Sequence, residues 1–75
     1  MTLFGQLQTL LIDRYGCEPE EVELSAAFDR LNILPEERGE IAFLLGETSG
    51  VEIPTEDLEA FVTLEDMIGY IEDRL

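Results

Sequence analysis

Apolar residues recur at three- and four-residue spacing near the start of the chain, which is the pattern of an amphipathic helix. Thr2 precedes the first of these positions and suits a helix N-cap, and Gly16 follows the last and suits a left-handed helix end. The spacing therefore predicts a first helix over residues 2–15, whose apolar face consists of Leu3, Phe4, Leu7, Leu10, Leu11 and Tyr15.

Residues 17–34 show no sustained period and predict a long loop. Pro19 lies among glutamates and favours one short turn near the beginning of this segment. Such a long loop is stable in a compact domain only when its own apolar side chains pack inward. We expect Phe28 and Leu31 to fill that role against the helices.

A second helix is predicted over residues 35–48. Pro35 suits its first position, since the first N–H group of a helix has no partner and the proline ring presets φ. Ser49 and Gly50 are expected to end the helix. Its inward face is predicted to include Ile41, Ala42, Phe43, Leu44, Leu45 and Thr48.

The last third of the chain predicts two further helices. Pro54 biases Ile53 towards an extended conformation, and a short helix over residues 55–61 follows, capped by Thr55. Thr63 and Asp66 have the spacing of a capping box at the start of the last helix. Inward positions are expected at Leu58, Phe61, Leu64, Met67, Ile68, Ile71 and Leu75.

These elements predict an all-α fold, a small four-helix bundle with three long helices, one short helix and a long loop between the first two. Residues 1–75 are expected to form a single domain, because a chain of 75 residues is too short for two. No segment alternates regularly between apolar and polar residues, so no strand is predicted.

The net charge of −14 comes from eighteen acidic residues and four arginines, with no lysine or histidine. This charge repels nucleic acid and anionic membrane and attracts basic protein surfaces. Neither a nucleic acid nor a membrane is therefore expected as a partner. A simpler interpretation is that the charge only keeps a small domain soluble.

The side chains argue against catalysis, a cofactor and a metal site. Without histidine there is no imidazole base and no Ser–His or Cys–His nucleophile pair. The single cysteine, Cys17, excludes an intrachain disulfide, and acidic neighbours make it a poor nucleophile. No signal peptide or membrane-length apolar run is apparent, so we expect a cytoplasmic monomer that is not an enzyme.

Several stretches, taken in order, resemble an acyl carrier protein over nearly the whole chain. They correspond to the end of the first helix, the loop residues that pack inward, the extended segment before the third helix and the last helix. These stretches are residues 13–22, residues 26–28 with Leu31, Val51-Glu52-Ile53-Pro54, and residues 63–71 with their Thr cap and Tyr-Ile ending. The resemblance implies the bundle fold predicted above.

The resemblance also implies where a prosthetic group would be attached. The family carries a phosphopantetheine arm on the serine of an Asp-Ser-Leu motif at the start of the second helix. Counting back from Ile53 without a gap, these three positions fall on Leu34, Pro35 and Glu36. Pro35 has no hydroxyl group, and no serine or threonine lies between residues 28 and 43. We therefore expect an acyl-carrier-like domain without the phosphopantetheine arm.

Recognition by partner proteins remains as the expected function. Family members present the second helix and the start of the third to basic patches on their enzymes. Here Arg38 would interrupt an otherwise acidic surface, and the partner is expected to be an enzyme of acyl or peptidyl assembly. The predicted partner-binding residues are Glu36, Glu37, Glu40, Glu47, Glu56 and Asp57.

Two other functions fit the same sequence. The chain is a working acyl or peptidyl carrier if another residue accepts the arm. It is an acidic decoy if its charge blocks a nucleic-acid-binding protein. The acidic residues are also compatible with no binding role, as the solvated faces of short helices.

Overall fold

The computed structural model describes residues 2–75 and confirms the all-α fold. Two single turns of 3-10 helix, Pro19–Glu21 and Asp29–Leu31, interrupt the long loop. Within residues 2–75 the only strand-like feature is an isolated antiparallel bridge between Ala27 and Thr63. The helices are α1 (Leu3–Tyr15), α2 (Pro35–Ser49), α3 (Thr55–Leu58) and α4 (Leu64–Glu72).

Both predicted ends of α1 are confirmed. The Thr2 hydroxyl oxygen accepts a hydrogen bond from the Gly5 N–H at 2.9 Å. Gly16 has φ of +67°, the left-handed conformation that glycine adopts without a steric cost, and Cys17 N–H then donates to the Leu11 carbonyl. This turn directs Cys17 into the core, where burial, followed by the Glu21 charge, raises the pKa of its thiol. Cys17 is therefore a small buried apolar residue.

One apolar cluster forms the core between the helices. The two loop residues predicted as plugs are confirmed, because Phe28 is fully buried and Leu31 is nearly so. Backbone hydrogen bonds hold the loop against the start of α4: Phe28 N–H donates to the Val62 carbonyl, and Leu64 N–H donates to the Ala26 carbonyl. The deepest side chains of the cluster are Leu7, Leu11, Val22, Phe28, Ile41, Leu64, Met67 and Ile71.

The predicted inward face of α2 is partly wrong. Ile41, Ala42 and Leu45 are buried, but Phe43 is 63% exposed and Thr48 is exposed. Five consecutive apolar residues go around the whole helix at 100° per residue, so they cannot all face one side. Phe43 comes two residues after Ile41 and points away from the core. α2 ends at Ser49, with Gly50 in the left-handed conformation.

The third helix is shorter than predicted and begins differently. Pro54, not Thr55, occupies the N-cap position, and α3 is a single turn that ends at Leu58. The chain continues with tighter turns, in which Ala60 and Phe61 N–H groups donate to carbonyls three residues back. Phe61 is nevertheless buried, and Leu58 is half-buried, as the pattern predicted.

The capping box predicted for α4 is confirmed, but its last apolar position is wrong. Asp66 N–H donates to the Thr63 hydroxyl, while the Asp66 carboxylate accepts from the Thr63 and Val62 N–H groups. These bonds to the ionised form lower the pKa of Asp66. The helix ends at Glu72, so Leu75 lies beyond it and is exposed.

Candidate functional site

The first turn of α2 lies where the resemblance places the family motif. Leu34 is its N-cap residue and supplies no side-chain hydrogen bond, and Pro35 is the first helical residue. The Glu37 carboxylate reaches back to accept the Leu34 N–H at 2.8 Å, which is half of a capping box. Leu34, Pro35 and Glu36 are all exposed, so this surface is apolar except for one carboxylate.

Arg38 does not lie on the outward stripe of α2, so it interrupts the acidic surface only where this helix faces α3. Its side chain is only 14% exposed and turns back towards the loop. The guanidinium donates to the Asp29 carboxylate and to the Ile33 carbonyl, and it lies 5.1 Å from the centroid of the Phe28 ring. The loop presents Asp29 next to α2, a long-range placement that spacing along the sequence does not reveal.

Three predicted partner-binding glutamates share one outward face of α2. Glu36, Glu40 and Glu47 are separated by four and seven residues, which places them on one stripe of a helix. All three are exposed. Glu40 also pairs with Arg14 of α1 at 2.8 Å, but both side chains are at least half exposed, so the pair adds little stability.

The two predicted partner-binding residues of α3, Glu56 and Asp57, differ in how exposed they are. Glu56 is exposed, whereas Asp57 is half-buried and accepts a hydrogen bond from the Tyr70 hydroxyl at 2.8 Å. This bond raises the pKa of Tyr70. Asp57 and Glu37 thus have structural partners within the chain. The described residues offer Glu36, Glu47 and Glu56 no salt bridge or hydrogen-bonded partner.

A groove of about 510 Å³ runs between the starts of α2 and α3. A Cβ atom built on Gly39 would lie 3.8 Å from the Leu58 Cδ1 atom, an ordinary contact, so the packing of α2 against α3 does not require glycine at this position. The groove is mixed in charge, because two glutamates and one arginine line it. It is lined by Pro35, Glu36, Arg38, Thr55, Leu58 and Glu59.

Sequence reasoning missed one outward residue of this surface. Phe43 lies between Glu40 and Glu47 at helical spacing, and its exposure places an aromatic ring inside the acidic stripe. Its position three residues after Glu40 and four residues before Glu47 places Phe43 on the same stripe of α2 and indicates that its side chain is exposed.

The described residues form neither a metal-binding cluster nor a helix that could span a membrane. Among residues 2–75, no three acidic, cysteine or histidine side chains come together in a way that could hold a metal ion. None of the helices in the same range is long and apolar enough to cross a bilayer.

Comparison with known proteins identifies relatives that match along almost the whole chain. No protein-family model matches it. The chain is 32% identical to the acyl carrier protein of Helicobacter acinonychis (strain Sheeba) over 80 aligned residues, covering 99% of this chain and 96% of that protein. It is 31% identical to the acyl carrier protein of Chlamydia trachomatis serovar D, with 99% and 97% covered.

A third relative, the acyl carrier protein of Bdellovibrio bacteriovorus, is 27% identical with similar coverage. These relatives are carrier proteins, which confirms the prediction that the chain is not an enzyme. The helical bundle, the loop plug and the full-length similarity agree with one another. The chain belongs to the acyl carrier protein family.

Proposed function

We propose that the chain is an acyl-carrier-like domain that has no phosphopantetheine arm and acts by non-covalent binding to a basic partner protein. The observation that carries the proposal is the first turn of α2. Counting back from Ile53 without a gap places the family motif on Leu34, Pro35 and Glu36, and all three residues are exposed. The surface therefore remains accessible while the nucleophile is missing.

Pro35 removes the attachment chemistry in two ways. It has no hydroxyl oxygen to form a phosphodiester, and it has no N–H to donate to a phosphate at the helix start. Ser49 lies in the last turn of α2, about 20 Å further along the axis at 1.5 Å per residue. Its hydroxyl donates to the Leu45 carbonyl, so it is no substitute.

The charges of the same surface support docking. Arg38 is withdrawn towards Asp29, so on the outward face of α2 only Glu40 is paired with an arginine, Arg14 of α1. Glu36, Glu47 and Glu56 remain available for a partner's arginines or lysines. With a net charge of −14, the chain would be steered towards a basic surface over a distance of about 10 Å at moderate salt. An enzyme of acyl or peptidyl assembly, such as a transferase or a ligase, fits this description.

The test of docking compares two triple variants with the same change in charge. The immobilised chain first recovers its partner from an extract of the source organism, and the partner is then purified. Glu36→Gln with Glu47→Gln and Glu56→Gln should weaken the affinity at least about tenfold and flatten its salt dependence. The control, Glu18→Gln with Glu20→Gln and Glu23→Gln, changes exposed loop acids and should bind like the unaltered chain.

Equal affinities for both triple variants would contradict docking through α2. The identity of the recovered protein separates the proposal from the decoy function, because a decoy would recover DNA-binding proteins instead of acyl-chain enzymes. The decoy has no specific support in the structure beyond the overall charge.

A functional carrier modified at another residue is the second candidate, and the relatives favour it, since they are named acyl carrier proteins. The hydroxyl groups closest in sequence to Pro35 are those of Ser25 in the loop and Thr48 in α2. Neither lies in the first turn of a helix, where a phosphate would find free N–H donors. If the unaltered chain gains a phosphopantetheine arm, this second candidate is correct and the proposed function is wrong.

We also propose that the chain is a monomer in the cytoplasm. Cys17 is buried and is the single cysteine, so an intermolecular disulfide is not expected to form. The high negative charge opposes self-association. Size-exclusion chromatography with light scattering should give the monomer mass of 8.5 kDa.

A further inference from the structure

A groove between α1 and α2, here called the α1–α2 groove, has a volume of about 490 Å³. On α1 its lining residues recur at three- and four-residue spacing from Gln6 to Asp13, so it follows that helix for about 10 Å at 1.5 Å per residue. Its apolar part consists of half-buried Leu10 and Leu44 and buried Leu45. The two helices thus leave an apolar trough along their line of contact.

The α1–α2 groove does not open on the acidic stripe of α2. Thr48 lines the groove and comes one residue after Glu47, which places it about 100° further around the helix, on the side that faces α1. Glu47 stands between the stripe and the groove and borders both. The groove is therefore a surface of its own, and half of it belongs to α1.

Several hydrogen-bond donors around the α1–α2 groove are already used within the chain. The hydroxyl groups of Thr9 and Thr48 each donate to the carbonyl four residues back in their own helix, at 3.0 Å and 3.1 Å. The Arg14 guanidinium donates to the Glu40 carboxylate at 2.8 Å. The rim consequently offers an occupant more acceptors than donors.

The free acceptors are two carboxylates on opposite sides of the groove. Asp13 of α1 and Glu47 of α2 line it and are exposed, and among residues 2–75 neither has a hydrogen-bonded or ion-paired partner for its side chain. An ionised carboxylate accepts hydrogen bonds and cannot donate them. An occupant that satisfies the groove is therefore apolar at its centre and cationic at its edges.

The shape of the groove selects a helix as the occupant. A trough along two packed helices accepts the side chains of a third helix, and an amphipathic helix places an apolar residue and its neighbours one turn away on the same face. A second copy of this chain cannot supply that helix, since α1 and α2 contain one arginine each and α3 and α4 contain no basic residue.

We infer that the α1–α2 groove binds an amphipathic helix of a partner protein, with one apolar side chain over Leu10 and Leu44 and a lysine or arginine one turn away on each side. The basic side chains lie beside Asp13 and Glu47. This inference goes beyond the proposed function, because it adds a contact surface on α1. A central apolar contact that excludes water from the surrounding polar contacts is the arrangement in which a few residues carry most of the binding energy.

The first test uses a synthetic helical peptide as the probe. It consists of alanine and glutamine with a central leucine and a lysine one turn to each side, and it is about 18 residues long because shorter helices are marginal in water. A control peptide has glutamine in place of the leucine. The leucine peptide should bind about tenfold more tightly than the control, since burying leucine is worth at least about 1.4 kcal/mol.

Heteronuclear NMR titration locates the bound peptide on the chain. The leucine peptide should shift the backbone amide signals of the residues that line the α1–α2 groove. Equal affinities for the two peptides, or shifts confined to other parts of the chain, would overturn the inference. No binding of the leucine peptide would overturn it as well.

The second test makes the same substitution in two different grooves. Thr9→Arg places a bulky cation in the α1–α2 groove, and Thr55→Arg places one in the groove between α2 and α3. Thr9→Arg should weaken binding of the leucine peptide about tenfold or more, whereas Thr55→Arg should change it less than about twofold, through net charge alone. Both threonines are exposed, so both variants should keep the helical circular dichroism spectrum and the melting temperature.

The outcomes of the second test separate this inference from the proposed function. Equal weakening by both substitutions would show that the peptide responds only to net charge, and weakening by Thr55→Arg alone would place it in the other groove. Either result overturns the inference. Neither result overturns the proposed function, which is tested with the recovered partner and the acidic triple variant.

Discussion

The N-termini of α2 and α4 differ in the groups that accept hydrogen bonds from their free N–H donors. Each helix begins with N–H donors that lack intrahelical partners. At α4, Thr63 and Asp66 exchange hydrogen bonds in a complete capping box. At α2, Leu34 offers no side-chain oxygen, and Glu37 alone reaches back to the N-cap N–H.

The difference shows where each helix start is held. The α4 start is stabilised by its own first turn, so its side chains are committed to the fold. The α2 start is held from the loop, through Arg38 and its contacts with Asp29 and Phe28. That arrangement leaves Leu34, Pro35 and Glu36 exposed at the surface, where the resemblance places the attachment site of the family's arm.

Stability should fall most when the contact between Arg38 of α2 and the loop is removed. Arg38→Ala should lower the free energy of unfolding by about 2 kcal/mol, because it removes charge-assisted hydrogen bonds and the packing of a mostly buried side chain. Urea denaturation measures the change. Arg30→Ala alters the net charge equally at an exposed neighbouring position and should cost much less. Equal costs would show that α2 is not held through Arg38.

A smaller effect is expected at the α4 cap, and it should depend on pH. Asp66→Ala should lower the free energy of unfolding by about 1 kcal/mol near neutral pH, because it removes the carboxylate that accepts from the Val62 and Thr63 N–H groups. Because hydrogen bonds lower the pKa of Asp66 below its ordinary 3.8, its contribution is present above that value and is lost as pH falls through the lowered pKa. The difference from the unaltered chain should therefore shrink below about pH 4.

Urea denaturation at pH 7 and pH 3 measures this pH dependence. Glu65→Ala is the control, because it removes an exposed carboxylate from the same first turn. A difference between Asp66→Ala and the unaltered chain that stays constant with pH would contradict the role assigned to the carboxylate.

The smallest expected effect is a gain in stability at the start of α2. Leu34→Ser adds the missing cap oxygen to a residue whose φ of −70° and ψ of 154° already suit an N-cap, and it should stabilise the chain by about 0.5 kcal/mol. Leu75→Ser, at an exposed residue outside any helix, should be neutral. No gain at Leu34 would mean that Glu37 already satisfies the helix start.

Most of the fold could be predicted because its signals are local. The Thr2 and Gly16 ends of α1 and the capping box of α4 each depend on residues a few positions apart. The inward positions of Phe28 and Leu31 could be predicted because a long loop must bury its own large apolar side chains. The errors occurred where local signals compete. Thr55 resembled a cap, yet Pro54 takes that position because its fixed, extended backbone already provides the entry to the helix.

The candidate site was less predictable, since it depends on which side chains turn inward. Arg38 appeared to lie on the acidic surface until the loop placed Asp29 and Phe28 beside it. Phe43 appeared to lie in the core because hydrophobicity was counted without allowing for the limited width of the buried face. Both outcomes depend on contacts between α2 and the rest of the bundle.

The proposed function requires that the start of α2 presents the surface of a carrier protein without its attachment chemistry. The most direct measurement is intact mass after incubation with coenzyme A and a broad-specificity phosphopantetheinyl transferase. The unaltered chain should keep its mass, whereas Leu34→Asp with Pro35→Ser and Glu36→Leu should gain one arm. Addition of an arm to the unaltered chain would contradict the account.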